Sequence, residues 1–255
     1  MRFVAVKDEA QQARLAWHRA REGYKAEGLA LSNRIRGLLA EFGIVLTQGA
    51  TALQSALGDA DLLAALPTML RELLDDLADH WRAVCERVNA CDARIAAHAR
   101  NDARSVRIQQ LIGIGPLTAD AVVASVGNGR DFRNGRQMAA WLGLVPTQHS
   151  SGGKQRLGSI SCRGDSYLRT LLIQGARSSW LRAKAVTHET ATAEQRWIGE
   201  LSTRLPFGKL LVAIANKHAR QLWAMLAHEE RYDPDAWLKH PMVQRPASRP
   251  RSAMA

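Results

Sequence analysis

Arg107-Ile108-Gln109-Gln110-Leu111-Ile112-Gly113-Ile114-Gly115-Pro116-Leu117-Thr118-Ala119-Asp120-Ala121-Val122-Val123 interrupts an apolar run with Gly-Ile-Gly and restarts it at a proline. Glycine inside a helix costs about 1 kcal/mol relative to alanine, so Gly113 and Gly115 mark where one helix stops. Pro116 marks where the next begins, because the first helical turn needs no intrahelical N–H and the proline φ suits it. The stretch predicts helix, tight turn, helix, and sets the expectation of a mainly α-helical chain.

Upstream, residues 8–42 read as one helix, with Trp17, Tyr24, Leu31 and Leu38 seven apart and Ile35 and Phe42 joining the stripe. A glycine-containing connection to Asp61, with room for a short helix, leads to a second long helix over about 61–105. Its apolar positions Leu66, Leu70, Leu73, Leu77, Trp81, Val84, Val88, Cys91 and Ile95 step by three and four, a heptad seam with one stutter. Two long helices joined this way are expected to pack antiparallel. An intermolecular coiled coil and an ordinary intramolecular pair are both open readings. Residues 1–105 are thus expected to form a helical hairpin or coiled-coil linker.

Downstream, a short helix is predicted from Asn134 or Gly135 to Leu142. Val145–Ser150 and Lys154–Ile160 can pair as a β-hairpin across Ser151-Gly152-Gly153. Asp165 is positioned to cap a helix running to about Arg182, with Leu168, Leu171, Leu172 and Ala176 inward. Two further helices are predicted near 193–205 and 207–229. The expected fold is therefore mainly α: a long antiparallel helical hairpin, then a helical domain over 106–232 with one small β-hairpin. The last residues, 233–255, are proline-rich, basic and poor in apolar side chains, the composition of a disordered tail.

The formal net charge of +11 is distributed unevenly. Residues 1–103 carry 13 Lys and Arg against 14 Asp and Glu, whereas residues 104–231 carry 18 against 8. Self-repulsion of that size favours a polyanionic partner, and nucleic acid is the leading one. No apolar run is long enough for a membrane span or a secretory signal, so a cytoplasmic protein with no membrane partner is expected. Cys85, Cys91 and Cys162 have neither C-x-x-C spacing nor histidines at ligand spacing; no metal site is predicted.

The turn at Gly113 and Gly115 resembles a helix-hairpin-helix, whose backbone N–H groups suit a phosphate, so both are candidate nucleic-acid contacts. A tight turn touching no DNA is the competing reading. The richest chemistry lies in Gly143-Leu144-Val145-Pro146-Thr147-Gln148-His149-Ser150-Ser151-Gly152-Gly153-Lys154, closed by Arg163-Gly164-Asp165. A serine hydroxyl needs a base, cations on the electrophile and an open backbone to act as a nucleophile. His149 is the candidate base, or a phosphate ligand. Lys154, Arg156, Arg163 and Arg169 are the local cations, and Arg133 and Arg136 are further nucleic-acid candidates. Read alone, Ser-Gly-Gly is also ordinary turn chemistry.

Leu111 to Gly115, Phe132, the run Gly135-Arg136-Gln137-Met138-Ala139-Ala140-Trp141-Leu142-Gly143-Leu144-Val145-Pro146, Ser151-Gly152-Gly153-Lys154 and Arg163-Gly164-Asp165 together resemble the C-terminal domain of insertion-sequence 110/116/902 transposases. The likeness is close over about 109–226, and the two helices before it resemble that family's coiled-coil linker. The resemblance implies a transposase or DNA recombinase in which a serine attacks a DNA phosphodiester and forms a phosphoserine link. That serine corresponds to Ser151, with Ser150 as the alternative, a position where some relatives carry an acidic residue. It also implies a structured guide RNA, DNA element ends and target as partners, and a homo-oligomer. Cys162 departs from the pattern, standing where relatives often have a basic residue. The resemblance further implies an N-terminal RuvC-like domain with an Asp-Glu-Asp-Asp site for Mg2+. Met1 to Val6 resembles sequence just beyond its last aspartates, so the chain is expected to lack that domain and to bind no cofactor itself. A non-catalytic nucleic-acid-binding and dimerising fragment is the alternative function. A helix-hairpin-helix repair factor is a weaker third, because no glycosylase-type aspartate or lysine follows the turn.

Overall fold

The computed structural model describes residues 6–149, 156–187 and 189–234. It is mainly α-helical, with one two-stranded antiparallel sheet among the described residues. It divides into two compact units, Glu9–His98 and Ala99 onward, the latter together with residues 6–8.

The first unit holds α1 (Glu9–Glu41), α2 (Ala50–Leu57), α3 (Ala60–Ala64) and most of α4 (Thr68–Asn101). Helices α1 and α4 run antiparallel, because residues rising along one meet residues falling along the other. Arg94 lies 6.0 Å over the Trp17 ring, Arg21 Nε donates to Asp92 Oδ1 at 2.5 Å, Arg87 lies 5.7 Å over Tyr24, and His80 Nε2 lies 3.0 Å from Glu27 Oε1. Leu31, Ile35 and Leu39 of α1 pack with Leu53 of α2 and with Leu70, Leu74, Leu77, Trp81 and Val84 of α4.

Two expectations are corrected here. The long helix predicted over 61–105 is divided: Pro67 has no N–H to continue the ladder, so α3 ends before it and α4 begins after it. At the other end Asp102, in an extended conformation, accepts from the Arg104 N–H at 2.9 Å and caps a new helix, α5 (Ala103–Ile108). The seam also turns out differently. Leu74 is 1% exposed and Leu73 45%, so the buried series runs 66, 70, 74, 77, with Leu74 in the place assigned to Leu73. Trp17 on α1 and Phe42 just beyond its end are 39% and 48% exposed, while Leu15, His18 and Leu39 are buried. The aromatic rings at 17 and 24 lie at the margin of the pair, where they carry arginines from α4 instead of filling the core. Leu74→Ala should therefore cost about 2–3 kcal/mol and Leu73→Ala under about 0.5 kcal/mol in denaturant unfolding. Equal costs would refute this register.

The second unit is built around α6 (Pro116–Val126), whose residues from Thr118 to Val126 are all buried. Around it lie α5, α7 (Gly135–Trp141), α8 (Ser166–Lys184), α9 (Ala193–Arg204) and α10 (Phe207–Ala227). Leu168, Leu172 and Ala176 of α8 are buried as expected, with Leu171 half-buried; Ile214, Ala215 and Leu222 of α10 share their core. The hairpin strands are β1 (Pro146–Gln148) and β2 (Leu157–Ile160).

One polar cluster lies inside this unit. Glu194, 4% exposed, has Oε1 3.6 Å from Lys217 Nζ and 3.9 Å from His218 Nε2, and its Oε2 accepts from the Tyr232 hydroxyl. Burial pushes the His218 imidazole down to about 4; Glu194 pulls it up and Lys217 down, by less. An unfolded histidine titrates near 6.5, so between about pH 6.5 and 4 the unfolded chain takes up a proton that the folded chain refuses. Stability should then fall as pH drops through that window, by about 3 kcal/mol, and level off from this cause below it. Urea unfolding of wild type and His218→Gln at pH values across the window tests this. The wild-type loss should exceed the variant's, and parallel curves would refute it.

Candidate nucleic-acid interface and serine loop

The hairpin is rooted at the C-terminal end of α7. Gly143 N donates to Ala140 O and Leu144 N to Ala139 O, both at 3.0 Å, a Schellman closure that requires the left-handed conformation Gly143 adopts, φ 73°. The returning strand meets this turn directly. Ser161 N donates to Val145 O at 2.8 Å and Cys162 N to Gly143 O at 3.3 Å. Gly164, φ 96°, sits against the Trp141 carbonyl, and Gly143 against the Arg163 carbonyl, each too close for a Cβ. Two side chains brace the root: Asn216 Nδ2 donates to Leu144 O and Arg169 Nη1 to Leu142 O, both at 3.1 Å. Asp165 then accepts from Leu168 N at 3.0 Å and starts α8, as predicted.

From this root Pro146 faces Ile160 and Gln148 faces Leu157, with a one-residue slip between the pairs. His149 N donates to Arg156 O at 2.8 Å. A turn confined to Ser151-Gly152-Gly153 would place His149 opposite residue 155, so the predicted register is off by one residue here and by two at Pro146. The root fixes Val145 opposite Ser161, and the bulge in β2 at Gly158 and Ser159 absorbs one residue of the difference. Positions 150–155 therefore lie between the bonded pair His149 and Arg156. Ser150, Ser151 and Lys154 are outside the described residues.

The other predicted contacts fall in separate places. Arg156, Arg163 and His149 are exposed at the hairpin, and the His149 ring lies beside Gly158. Arg169 is half-buried as the brace just described. Arg133 and Arg136 are exposed at the opposite end of α7, about 10 Å away along the helix. There Asn134 accepts from Gln137 N at 3.0 Å, and Gly135 abuts the backbone of Arg220, where a Cβ would approach Arg220 Cα to 2.8 Å. Burial, and secondarily the charge of Arg136, holds the Arg220 guanidinium below its usual range. Two cations held together in this way favour an anion.

Gly113, φ 89°, is packed against α8, where a Cβ would overlap the Gly175 carbonyl; Ser179 Oγ donates to Ile112 O at 2.7 Å. That close approach accounts for Gly113 structurally. Gly115 is exposed and caps α6 with an extended backbone and no side-chain cap hydrogen bond, while Thr118 and Ala119 of the first turn are buried. Among the described residues, no group of three or more His, Cys, Asp or Glu side chains could hold a metal ion, and no helix is long and apolar enough to cross a membrane.

The sequence profile of the "Transposase IS116/IS110/IS902 family" matches residues 105–192, from α5 across the hairpin to the start of α9. A Pseudomonas aeruginosa protein named "Probable family 20 transposase" is 47% identical over 92% of this chain and 69% of its own length. The chain belongs to this transposase family. The Coxiella burnetii "Transposase for insertion sequence element IS1111A" is 36% identical over 91% of the chain, and the Yersinia enterocolitica "Transposase for insertion sequence element IS1328" is 33% identical over 88%. The chain spans 63% and 66% of those two relatives.

For this transposase-family chain, the sequence reading missed Asn216 and Arg220. Both lie on α10, far along the chain from the segments they support, so local spacing carries no signal for them. A polar pair four residues apart on a largely apolar helix was the one available clue.

Proposed function

We propose that this chain carries the strand-exchange part of an insertion-sequence transposase, with Ser151 as the nucleophile. The observation that supports it is the hairpin root. Both ends of the segment containing Ser151 are tied through Gly143 and Gly164 to α7 and through Asn216 to α10. A nucleophile gains from proximity only on an anchored loop, and the described root is such an anchor.

In the proposed step the Ser151 hydroxyl oxygen attacks the phosphorus of a DNA phosphodiester. The Ser–O–P bond forms, one deoxyribose oxygen leaves and is protonated, and the serine proton passes to a base, for which His149, two residues before Ser151 in the chain, is the candidate. A hydroxyl of the exchanging strand then attacks the phosphoserine, restoring the serine. One phosphoester bond is exchanged for another at each stage, so no energy-supplying cofactor is needed. Arg156 and Arg163, with Lys154, neutralise the charge that builds on the phosphoryl oxygens. Gly115, Arg133 and Arg136 hold flanking backbone. We further propose DNA ends and target as substrates, a structured guide RNA and self-association as in the family, and Mg2+ supplied from outside the described residues.

The test is trapping of a protein–DNA adduct on denaturing gels, with DNA containing the element's ends. It is run with the chain alone and with the chain joined to the part of the Pseudomonas relative that it does not cover. An alkali-labile adduct on serine is expected with the joined protein. Salt-dependent binding without any adduct in either form would favour the non-catalytic binding fragment.

A further inference from the structure

A second surface of the Ala99-onward unit lies away from the hairpin, on the C-terminal half of α8. Arg177, Trp180, Leu181 and Lys184 are spaced three and four apart and so share one helix face. The Trp180 ring meets Phe207, the first residue of α10, at 4.9 Å between centroids and 65° between planes. Because the rings are tilted and not stacked, Phe207 remains 47% exposed, and Leu181 beside Trp180 is 52% exposed. Lys184 Nζ lies 5.3 Å from the Trp180 ring centroid. Arg177 and Leu181 also line an open groove of about 530 Å³ that continues to Thr118 in the first turn of α6.

Nothing in the core requires a half-exposed phenylalanine at the start of a helix. The surrounding charge says what would cover it. Arg177 and Lys184 make no ion pair among the described residues, nor do Arg204 and Lys209, which flank Phe207 in the chain. An exposed phenylalanine ring backed by a half-buried tryptophan, set amid cations that make no ion pair among the described residues, matches a polymer with flat apolar faces on a polyanionic backbone. Duplex DNA hides its base faces, whereas an unpaired strand offers them.

We propose that Phe207, braced from behind by Trp180, is a stacking platform for unpaired bases, with Arg177 and Lys184 on the adjoining phosphates. The platform binds a single-stranded segment of nucleic acid outside the serine hairpin. It rests on the nucleic-acid reading of the previous subsection and adds the strand state and the residues that recognise it.

The full chain is titrated by fluorescence anisotropy with labelled oligothymidylate, oligouridylate, an abasic oligomer of the same length, and a duplex. Wild type should bind oligothymidylate about tenfold more tightly than the abasic strand, and Phe207→Leu, which keeps an apolar contact for Trp180, should remove that difference. Arg177→Gln should weaken all single strands and lower the salt slope by about one. The uridylate and thymidylate arms distinguish RNA from DNA as the source of the strand. Equal wild-type affinity for base-bearing and abasic strands, or an unchanged preference in Phe207→Leu, overturns the platform while leaving duplex binding intact. Failure to bind any of the four probes overturns the nucleic-acid reading and the platform with it.

Discussion

Ser151→Ala is expected to reduce covalent protein–DNA adduct by at least about a thousandfold while leaving DNA affinity almost unchanged. A methyl group cannot form a phosphoester, so no partial activity should persist through position 151. The substitution removes no charge, so the phosphates neutralised, and hence the slope of log affinity against log salt, should stay the same. The neighbouring residues give a graded pattern. Ser150→Ala should retain most of the adduct. Arg163→Gln should weaken both binding and adduct formation, because a cation on the phosphoryl group acts before and during attack. His149→Gln should reduce the rate of adduct formation by about a hundredfold or more. Unchanged DNA affinity in that variant separates proton transfer from simple phosphate contact, whose loss would weaken binding. Adduct formed by Ser151→Ala at the wild-type rate would eliminate the assignment, and transfer of the adduct to Ser150 would move it by one residue.

What could be read from the sequence was whatever chain-local rules govern. Pro116, Asn134 and Asp165 each begin the helix they were expected to begin, because a first-turn proline or a side-chain cap acts within four residues. The failures have equally physical origins. Leu73 and Leu74 are adjacent leucines, and only contact with α1 decides which one is buried. The break at Pro67 was a local signal outweighed by the apolar periodicity on either side of it. The hairpin register could not be taken from Ser-Gly-Gly alone, because it is imposed from the other end, where Val145 and Ser161 are paired above the Gly143 turn. Gly113 shows the same limit from the other side. The sequence marks it as a residue with a special backbone, but whether that backbone serves a phosphate or a neighbouring helix depends on Gly175 in α8.

Gly164→Ala should be the most damaging single-atom-scale change in the Ala99-onward unit, costing about 4 kcal/mol or more. Two costs combine at this position. A residue with a Cβ at φ 96° is strained by about 1–3 kcal/mol wherever it occurs. The added carbon would also overlap the Trp141 carbonyl oxygen, which belongs to the last turn of α7 and cannot swing aside as a flexible side chain could. Relief requires separating the returning strand from α7, and that separation strains the Cys162–Gly143 hydrogen bond and the Asn216 brace. The melting temperature should fall by roughly 10 °C, and protease should cut near the returning strand β2 before the rest of the unit unfolds. Gly115→Ala is the matched control, since its backbone is extended and nothing lies within 4 Å of the added carbon; it should change stability by under about 1 kcal/mol. If Gly164→Ala melted like Gly115→Ala, the root would be slack, and the proposed anchoring of the serine loop would lose its physical basis.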